Sequence, residues 1–185
     1  MSGPENAMGN YCKMTAIYET LETCWRLRGV NRKETWEQLR ETMQTFLSEN
    51  DVATTSFGHF GIVVSSIDQA LDAWAACAGE QPTLMRRDWV QSFNVHVARF
   101  AQDETEVEFL EPEGKSFFED HLNSQGEGLQ HVAFQVDDIE AALQGLANNE
   151  INLVDSKPRQ GSHGKIAFAR PQTFEPLYLE VYQVL

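Results

Sequence analysis

The chain has 185 residues, 42% of them hydrophobic, and a net charge of −14. This negative charge repels nucleic acid and anionic lipid surfaces, and no apolar run is long enough to span a bilayer, which argues against both as partners. Three cysteines without metal-type spacing and an N-terminus without a signal-peptide pattern predict a reducing, cytoplasmic location.

Two amphipathic helices are predicted at the start of the chain. Apolar residues recur every three to four positions in "MTAIYETLETCWRLRG" and again in "ETWEQLRETMQTFL". Asn31 and Glu34 form a capping-box-like start for the second helix. Each apolar stripe must be buried, either against the rest of the chain or against a second copy. We assign residues 1–52 to this helical extension, and its linker falls in 49–56.

From Phe57 onward the pattern changes to short strands and helices in the order βαβββ, which occurs twice. The predicted elements are strand 57–64, helix 67–78, strands near 83–89, 93–101 and 105–110, a short helix 115–123, strand 129–136, helix 138–148 and strands near 152–155, 165–170 and 177–183. One module alone leaves a sheet face uncovered, so two must pair. The predicted fold class is α+β, with modules at about 57–111 and 128–183 joined in one curved mixed sheet within a domain spanning 53–185.

A histidine and a glutamate recur in the same register in both modules. His59 and His131 lie in the first strands; Glu108 follows His59 by 49 residues (108 − 59), and Glu180 follows His131 by the same interval (180 − 131). If a pseudo-twofold axis relates the modules, all four side chains can meet between them. Two imidazoles and two carboxylates suit one divalent transition ion, and Mn, Co, Ni, Zn and Fe all tolerate this set. The ion would also cancel the charge of two buried glutamates.

Four segments resemble the vicinal oxygen chelate superfamily, which includes glyoxalase I, extradiol dioxygenases and bleomycin-resistance proteins, and within it the methylmalonyl-CoA epimerases. They are "FGHFGIVVSSIDQAL", "EVEFLEPEGKSFFEDHL", "GEGLQHVAFQVDDIEAAL" and "SKPRQGSHGKIAFARP". The resemblance implies a glyoxalase-like fold over residues 57–183 and a metal held by His59, Glu108, His131 and Glu180. It also implies that the ion chelates a methylmalonyl thioester of coenzyme A while acid/base groups exchange its α-proton.

The resemblance also implies catalytic residues. Glu108 and Glu180 are candidates, and Gln91 falls where some epimerases have a catalytic glutamate. An amide cannot act as a general base, and loss of such a base costs about 10²–10⁴ in rate. Three explanations stay open: Asp88 takes this role, the two glutamates flank the substrate themselves, or the substrate is a different one.

Substrate contacts are predicted in the second module. Arg159, Lys165 and Arg170 lie close together in sequence and would suit an anionic ligand, and His163 lies in a glycine-flanked loop that resembles the epimerase segment near the substrate. His121, in the short helix, is expected to be exposed to solvent.

The leading prediction is a divalent-metal-dependent isomerase of the epimerase type, acting on an acyl-CoA or related carbonyl substrate as a homodimer. One alternative is a glyoxalase I-like isomerase or lyase that uses the same glutamates on another carbonyl compound. The other is a metal-free small-molecule-binding protein of the resistance type. Four register-matched residues argue against the metal-free protein, and metal content would distinguish it from an enzyme.

Overall fold

The computed structural model describes residues 32–78, 81–102, 105–161 and 164–184. The first predicted helix and the start signal at Asn31 lie outside these residues. The helices are α1 (Arg32–Glu49), α2 (Ile67–Ala78), α3 (Phe117–Gln125) and α4 (Ile139–Asn148), and the strands are β1 (Thr54–Val63), β2 (Leu84–Val90), β3 (Val95–Gln102), β4 (Thr105–Pro112), β5 (Gly128–Val136), β6 (Asn152–Leu153), β7 (Arg159–Gln160), β8 (Gly164–Arg170) and β9 (Tyr178–Val184). No helix in the described part of the chain is long and apolar enough to cross a membrane.

The described strands form one mixed sheet in the order β2-β3-β4-β1-β5-β9-β8-β6, with β7 paired to β8. The parallel pairs are β1 with β4 and β5 with β9, one in each module. The modules join where β1 and β5 pair antiparallel. The α+β class with two paired βαβββ modules is therefore confirmed, and the first strand of each module lies at the centre of the sheet.

Alternation along the strands gives the sheet two different faces. On β1, Phe60 and Ile62 belong to the main apolar cluster, which also contains residues of α2 and α4. His59 and Gly61 lie on the opposite face, which we call the site face. A second apolar cluster covers part of this face and includes Phe118 of α3. Residues 59–63 of β1 and nearly all of β5 are buried, as expected for strands that are covered on both faces.

Two predicted boundaries are wrong for identifiable reasons. Helix α1 continues to Glu49 and β1 begins at Thr54, so the predicted linker 49–56 is shorter than expected. Strand β3 begins at Val95 rather than residue 93, because Gln91–Phe93 form a 3-10 turn. Asn94 ends that turn with a φ of 49°, in the left-handed region that asparagine tolerates better than most residues.

Helix α3 begins at Phe117 because Ser116 caps it. The Ser116 hydroxyl accepts a hydrogen bond from the backbone N–H of Glu119 at 3.2 Å. His121 is buried, so the expectation that it is exposed to solvent is wrong. Burial lowers the pKa of His121 to about 4, and the imidazole is therefore neutral at pH 7.

Helix α1 packs against its own chain. Met43 and Leu47 are fully buried in the main apolar cluster, and the ring of Phe46 meets that of Phe174 edge-on at 5.1 Å. The turn after α1 lies against α4, where a Cβ added at Gly145 would come within 2.8 Å of the backbone oxygen of Asp51. Of the two ways of burying this stripe, the structure shows packing within the chain.

We expect Met43→Ala to lower the free energy of unfolding by about 2–5 kcal/mol, because it removes a fully buried side chain and leaves a cavity. Gln44→Ala, at an exposed neighbouring position of α1, is the matched control and should change stability by less than about 0.5 kcal/mol. Urea unfolding followed by circular dichroism measures both. Equal stabilities for the two variants would show that α1 contributes nothing to the core.

Candidate metal centre

The two central strands bring the modules' repeated residues together. Gly61 of β1 pairs with Glu108 of β4 on one side and with His131 of β5 on the other. In the second module, Ala133 of β5 pairs with Glu180 of β9 in the corresponding way. The pseudo-twofold arrangement expected from the 49-residue interval is thus present in the strand pairing.

The four side chains meet in one buried cluster. His59 Nε2 lies 3.2 Å from His131 Nε2, 3.3 Å from Glu108 Oε2 and 3.8 Å from Glu180 Oε2. His131 Nε2 lies 3.2 Å from Glu180 Oε2. All four residues are at least 90% buried. The candidate ligand atoms of His59, Glu108 and His131 all lie within 4.8 Å of one another, and Glu180 adjoins both histidines.

Gly61 makes room for His131. A Cβ added at Gly61 would lie 1.9 Å from Cε1 of the His131 ring and 2.2 Å from its Nε2. Any side chain at this position would displace the ring from the cluster. The imidazole therefore lies directly over the backbone of the neighbouring strand, and this contact sets the distance between the two modules' histidines.

Gln130 determines which nitrogen of His131 faces the cluster. Its carboxamide oxygen lies 2.7 Å from His131 Nδ1, so Nδ1–H donates to Gln130 Oε1. Burial lowers the pKa of His131 well below its ordinary value, so the ring is neutral. The proton on Nδ1 leaves a lone pair on Nε2, the atom that points into the cluster. This arrangement is typical of histidines that bind metals.

The two glutamates have different surroundings. The cross-strand neighbour of Glu108 is Arg99, whose Nε lies 3.4 Å from Glu108 Oε1, whereas the neighbour of Glu180 is Phe168. Burial by itself would raise the pKa of Glu108. Its contacts with His59 and with the Arg99 guanidinium have the larger effect, and they hold the pKa of Glu108 well below its ordinary value. Burial raises the pKa of Glu180 to about 7. Glu108 is therefore ionised at neutral pH, while Glu180 exchanges protons there.

These residues fit a divalent metal ion. The cluster offers imidazole nitrogens and carboxylate oxygens within a small volume, and His131 presents a lone pair to it. Two carboxylates facing each other in a buried site carry a charge that a divalent cation would cancel. The assignment of His59, Glu108, His131 and Glu180 as metal ligands stays a prediction that the geometry supports.

An apolar cavity adjoins the cluster. Its walls include Val95, Val97, Leu110, Phe118, Ile166 and Phe168, and all four clustered residues line it. Gln91 is exposed at the start of the 3-10 turn, and Asp88 is exposed on β2, where it pairs with Arg86. Neither is among the described residues that line the cavity. The structure thus does not bring Gln91 to the cluster.

The two predicted substrate-binding arginines do not line the cavity, although Phe93, which Arg159 covers, does. Arg159 donates from Nε to Asp155 Oδ1 at 2.7 Å, and its guanidinium covers the ring of Phe93 at 4.1 Å. Arg170 pairs with Glu175, with Nε 3.4 Å from Oε1. Neither arginine is among the described cavity-lining residues, and both have acidic partners of their own.

Lys165 is the predicted substrate residue that does line the cavity. Its Nζ donates to Glu140 Oε1 at 2.6 Å, so an anionic ligand would have to compete with that carboxylate. His163 lies outside the described residues, and its role stays a prediction.

Three residues of the site were missed in the sequence: Gly61, Arg99 and Gln130. Gln130 directly precedes His131, and a polar residue in an otherwise apolar strand was a detectable signal. Arg99 likewise lies in the apolar stretch "VHVARFA", but only the pairing of β3 with β4 places it opposite Glu108. The need for glycine at position 61 depends on the ring that β5 places against it.

Comparisons with known proteins agree with this architecture. The family model described as "Glyoxalase/Bleomycin resistance protein/Dioxygenase superfamily" matches residues 58–168. The chain is 32% identical over 125 residues to the uncharacterized protein YqjC of Bacillus subtilis, covering 66% of this chain and 88% of that protein. It is 34% identical over 83 residues to the mitochondrial methylmalonyl-CoA epimerase of Dictyostelium discoideum, covering 43% of this chain and 49% of that enzyme.

A solved structure shares the fold. The methylmalonyl-CoA epimerase from Mycobacterium tuberculosis matches with a TM-score of 0.64 and 22% identity, over 72% of this chain and 91% of that one. Paired βαβββ modules around a buried His/Glu cluster define a glyoxalase-like protein. The chain belongs to the glyoxalase/bleomycin resistance protein/dioxygenase superfamily, which confirms the resemblance seen in the sequence.

We expect Gln130→Met to weaken binding of a divalent ion about 10–100-fold, because it removes the acceptor that holds the proton on His131 Nδ1. Stability should fall by about 1–3 kcal/mol, because the N–H on His131 Nδ1 is left buried without an acceptor. Isothermal titration of chelator-treated protein with Co²⁺ measures the affinity. Gln135→Met, the same replacement on the same strand, is the control, and its Co²⁺ affinity should equal that of the wild type. A Co²⁺ affinity of Gln135→Met that differs from the wild type would contradict the assignment.

Proposed function

We propose that this protein is a divalent-metal-dependent isomerase of the epimerase type, which removes the proton next to the carbonyl of an acyl thioester such as methylmalonyl-CoA. The single observation that carries the proposal is the buried cluster of His59, Glu108, His131 and Glu180 beside an apolar cavity. The partial match to the methylmalonyl-CoA epimerase of Dictyostelium discoideum supports the substrate class, and the structure of a methylmalonyl-CoA epimerase in complex with methylmalonyl-CoA shares the fold.

The chemistry needs a cation and a proton-transfer group in a site with little water. A divalent ion held by the clustered residues would supply Lewis acidity, which makes the proton next to a carbonyl easier to remove. The cavity has apolar walls beside the cluster, and a low-dielectric wall strengthens electrostatic interactions next to it. Phe118 and Phe168 form the part of the wall that packs against His131.

Glu180 is the proposed proton-transfer residue. It lines the cavity, and its cross-strand neighbour is the apolar Phe168, so no cross-strand cation holds it ionised. Glu108 faces Arg99 and is the better fixed of the two carboxylates. Inversion requires a second group on the opposite face of the substrate, and among the described cavity-lining residues Glu108 is the other carboxylate. Exposure of Gln91 and Asp88 supports the explanation in which the two glutamates flank the substrate.

The proposed function is tested by hydrogen exchange at the substrate. The protein is loaded with Co²⁺ and incubated with (2R)- or (2S)-methylmalonyl-CoA in deuterated water, and deuterium at C2 is followed by mass spectrometry. We expect metal-dependent uptake that stops when a chelator is added. If the protein binds Co²⁺ but shows no deuterium uptake at high protein concentration, it is not a methylmalonyl-CoA epimerase. An isomerase that acts on another substrate would then be the remaining enzyme.

A pair of variants tests the asymmetry between the glutamates. We expect Glu180→Gln to lower the exchange rate by about 10²–10⁴, because an amide oxygen can still contact a cation but cannot accept the proton. Glu108→Gln should cost less in exchange rate, since Glu108 is held by Arg99 and acts mainly through its charge. Single-turnover rates at saturating substrate measure both effects. If Glu108→Gln lowers the exchange rate more than Glu180→Gln does, then Glu108 is the proton-transfer residue and Glu180 acts mainly through its charge.

A glyoxalase I-like isomerase or lyase is the second candidate. The observation that favours it is the position of Gln91 outside the cavity, which leaves the paired glutamates as the cavity's carboxylates. It predicts Co²⁺ binding with proton exchange on a different carbonyl compound. A homodimer and a cytoplasmic location belong to both proposals. A metal-free binding protein would bind no Co²⁺ at all.

A further inference from the structure

Arg99 contacts the cluster from its edge. It lies on the site face of β3, and its side chain is 12% exposed. Nη2 donates a hydrogen bond to His59 Nδ1, Nε lies 3.4 Å from Glu108 Oε1 and Nη1 lies 3.5 Å from Glu106 Oε2. In the second module the same strand position, opposite Glu180, is Phe168. The positively charged side chain at this strand position is therefore specific to the first module.

The contact with Arg99 determines the tautomer of His59. A guanidinium has donors and no acceptor, so His59 Nδ1 must be the acceptor and the single ring proton lies on Nε2. His59 Nε2–H then points into the cluster, where Glu108 Oε2 at 3.3 Å and His131 Nε2 at 3.2 Å are acceptors, and His131 Nδ1–H donates to Gln130 Oε1 at 2.7 Å. Arg99 and Gln130 therefore hold the two rings in opposite tautomers, with the proton of His59 on Nε2 and that of His131 on Nδ1.

This chain conflicts with metal binding at one atom. A metal held by both imidazoles through the nitrogens that face the cluster needs a lone pair on each Nε2. His131 already offers one. His59 does not, and moving its proton to Nδ1 would set an N–H donor against the donors of Arg99. Arg99 must therefore leave His59 before that ring can bind a metal.

Glu106 provides a second acidic partner for the displaced side chain. Its carboxylate is 37% exposed and already lies near Nη1. The Nε of Arg99 is buried and makes no hydrogen bond among the described residues, so the contact with His59 does not satisfy the guanidinium. We propose that Arg99 is a built-in competitor of the metal, which holds His59 through Nδ1 and moves toward Glu106 when a divalent ion binds. The inference rests on the metal centre of the proposed function.

The affinity of the cluster for Co²⁺ tests the competition. We expect Arg99→Met to bind Co²⁺ about tenfold or more tightly than wild type, because the competing cation is gone. The metal-free form of the same variant should unfold at a lower urea concentration. Arg87→Met is the matched control: it also removes one positive charge, from the neighbouring strand, where Arg87 pairs with the exposed Asp68. Its Co²⁺ affinity should equal that of the wild type.

A second pair of variants separates movement from simple charge. As a single variant, Glu106→Gln should weaken Co²⁺ binding several-fold. In the double variant with Arg99→Met, adding Glu106→Gln should have little further effect. Equal effects in both backgrounds would mean that Glu106 acts through its own charge, and the proposed movement would then be wrong. An Arg99→Met affinity within about twofold of wild type, or weaker, would overturn the competition.

The ring tautomers can be measured in the unmutated protein, which keeps the inference testable if Arg99→Met fails to fold. Long-range ¹H–¹⁵N spectra of the chelator-treated protein should show His59 with its proton on Nε2 and His131 with its proton on Nδ1. A proton on Nδ1 of His59 would reject the inference. If Co²⁺ binds with no gain from Arg99→Met, the inference fails alone; if neither wild type nor variant binds Co²⁺, the metal centre itself is rejected.

Discussion

The antiparallel pairing of β1 with β5 is the constraint on which the site depends. It joins the modules and places His131 against the backbone of Gly61, where a side chain of any size would collide with the ring. The parallel neighbours β4 and β9 then deliver one glutamate from each side. This pairing brings two imidazoles and two carboxylates to one face, and a slip of one residue between β1 and β5 would turn the second module's residues to the face opposite those of the first module.

The backbone is nearly symmetric, whereas the chemistry of the site is not. Arg99 opposite Glu108 and Phe168 opposite Glu180 give one carboxylate a cationic neighbour and the other an apolar one. Differences of this kind separate the pKa values of paired acids and so separate their roles. Duplicated modules supply similar geometry, and substitutions at equivalent strand positions supply the difference between a charge-bearing and a proton-transferring glutamate.

Burial of the cluster has a cost that the surrounding residues reduce. Charged groups removed from water are stable only when paired or hydrogen-bonded. Arg99 contacts His59 and Gln130 contacts His131, so each end of the histidine pair has a hydrogen-bond partner. Helix α1 contributes Met43 and Leu47 to the main apolar cluster, on the face of the sheet opposite the site face. These residues stabilise the core and do not contact the His/Glu cluster.

Most of the element order, the two modules and the four register-matched residues could be predicted from the sequence, because strand periodicity and a repeated interval are local properties of the chain. The residues that surround them depend on the fold. Arg99 joins the site through the pairing of β3 with β4, Gly61 is needed because the ring of His131 lies against it, and Gln91 lies exposed at the start of the 3-10 turn. Contacts between residues distant in sequence depend on strand pairing and packing, and neither is visible in the spacing of residues along the chain.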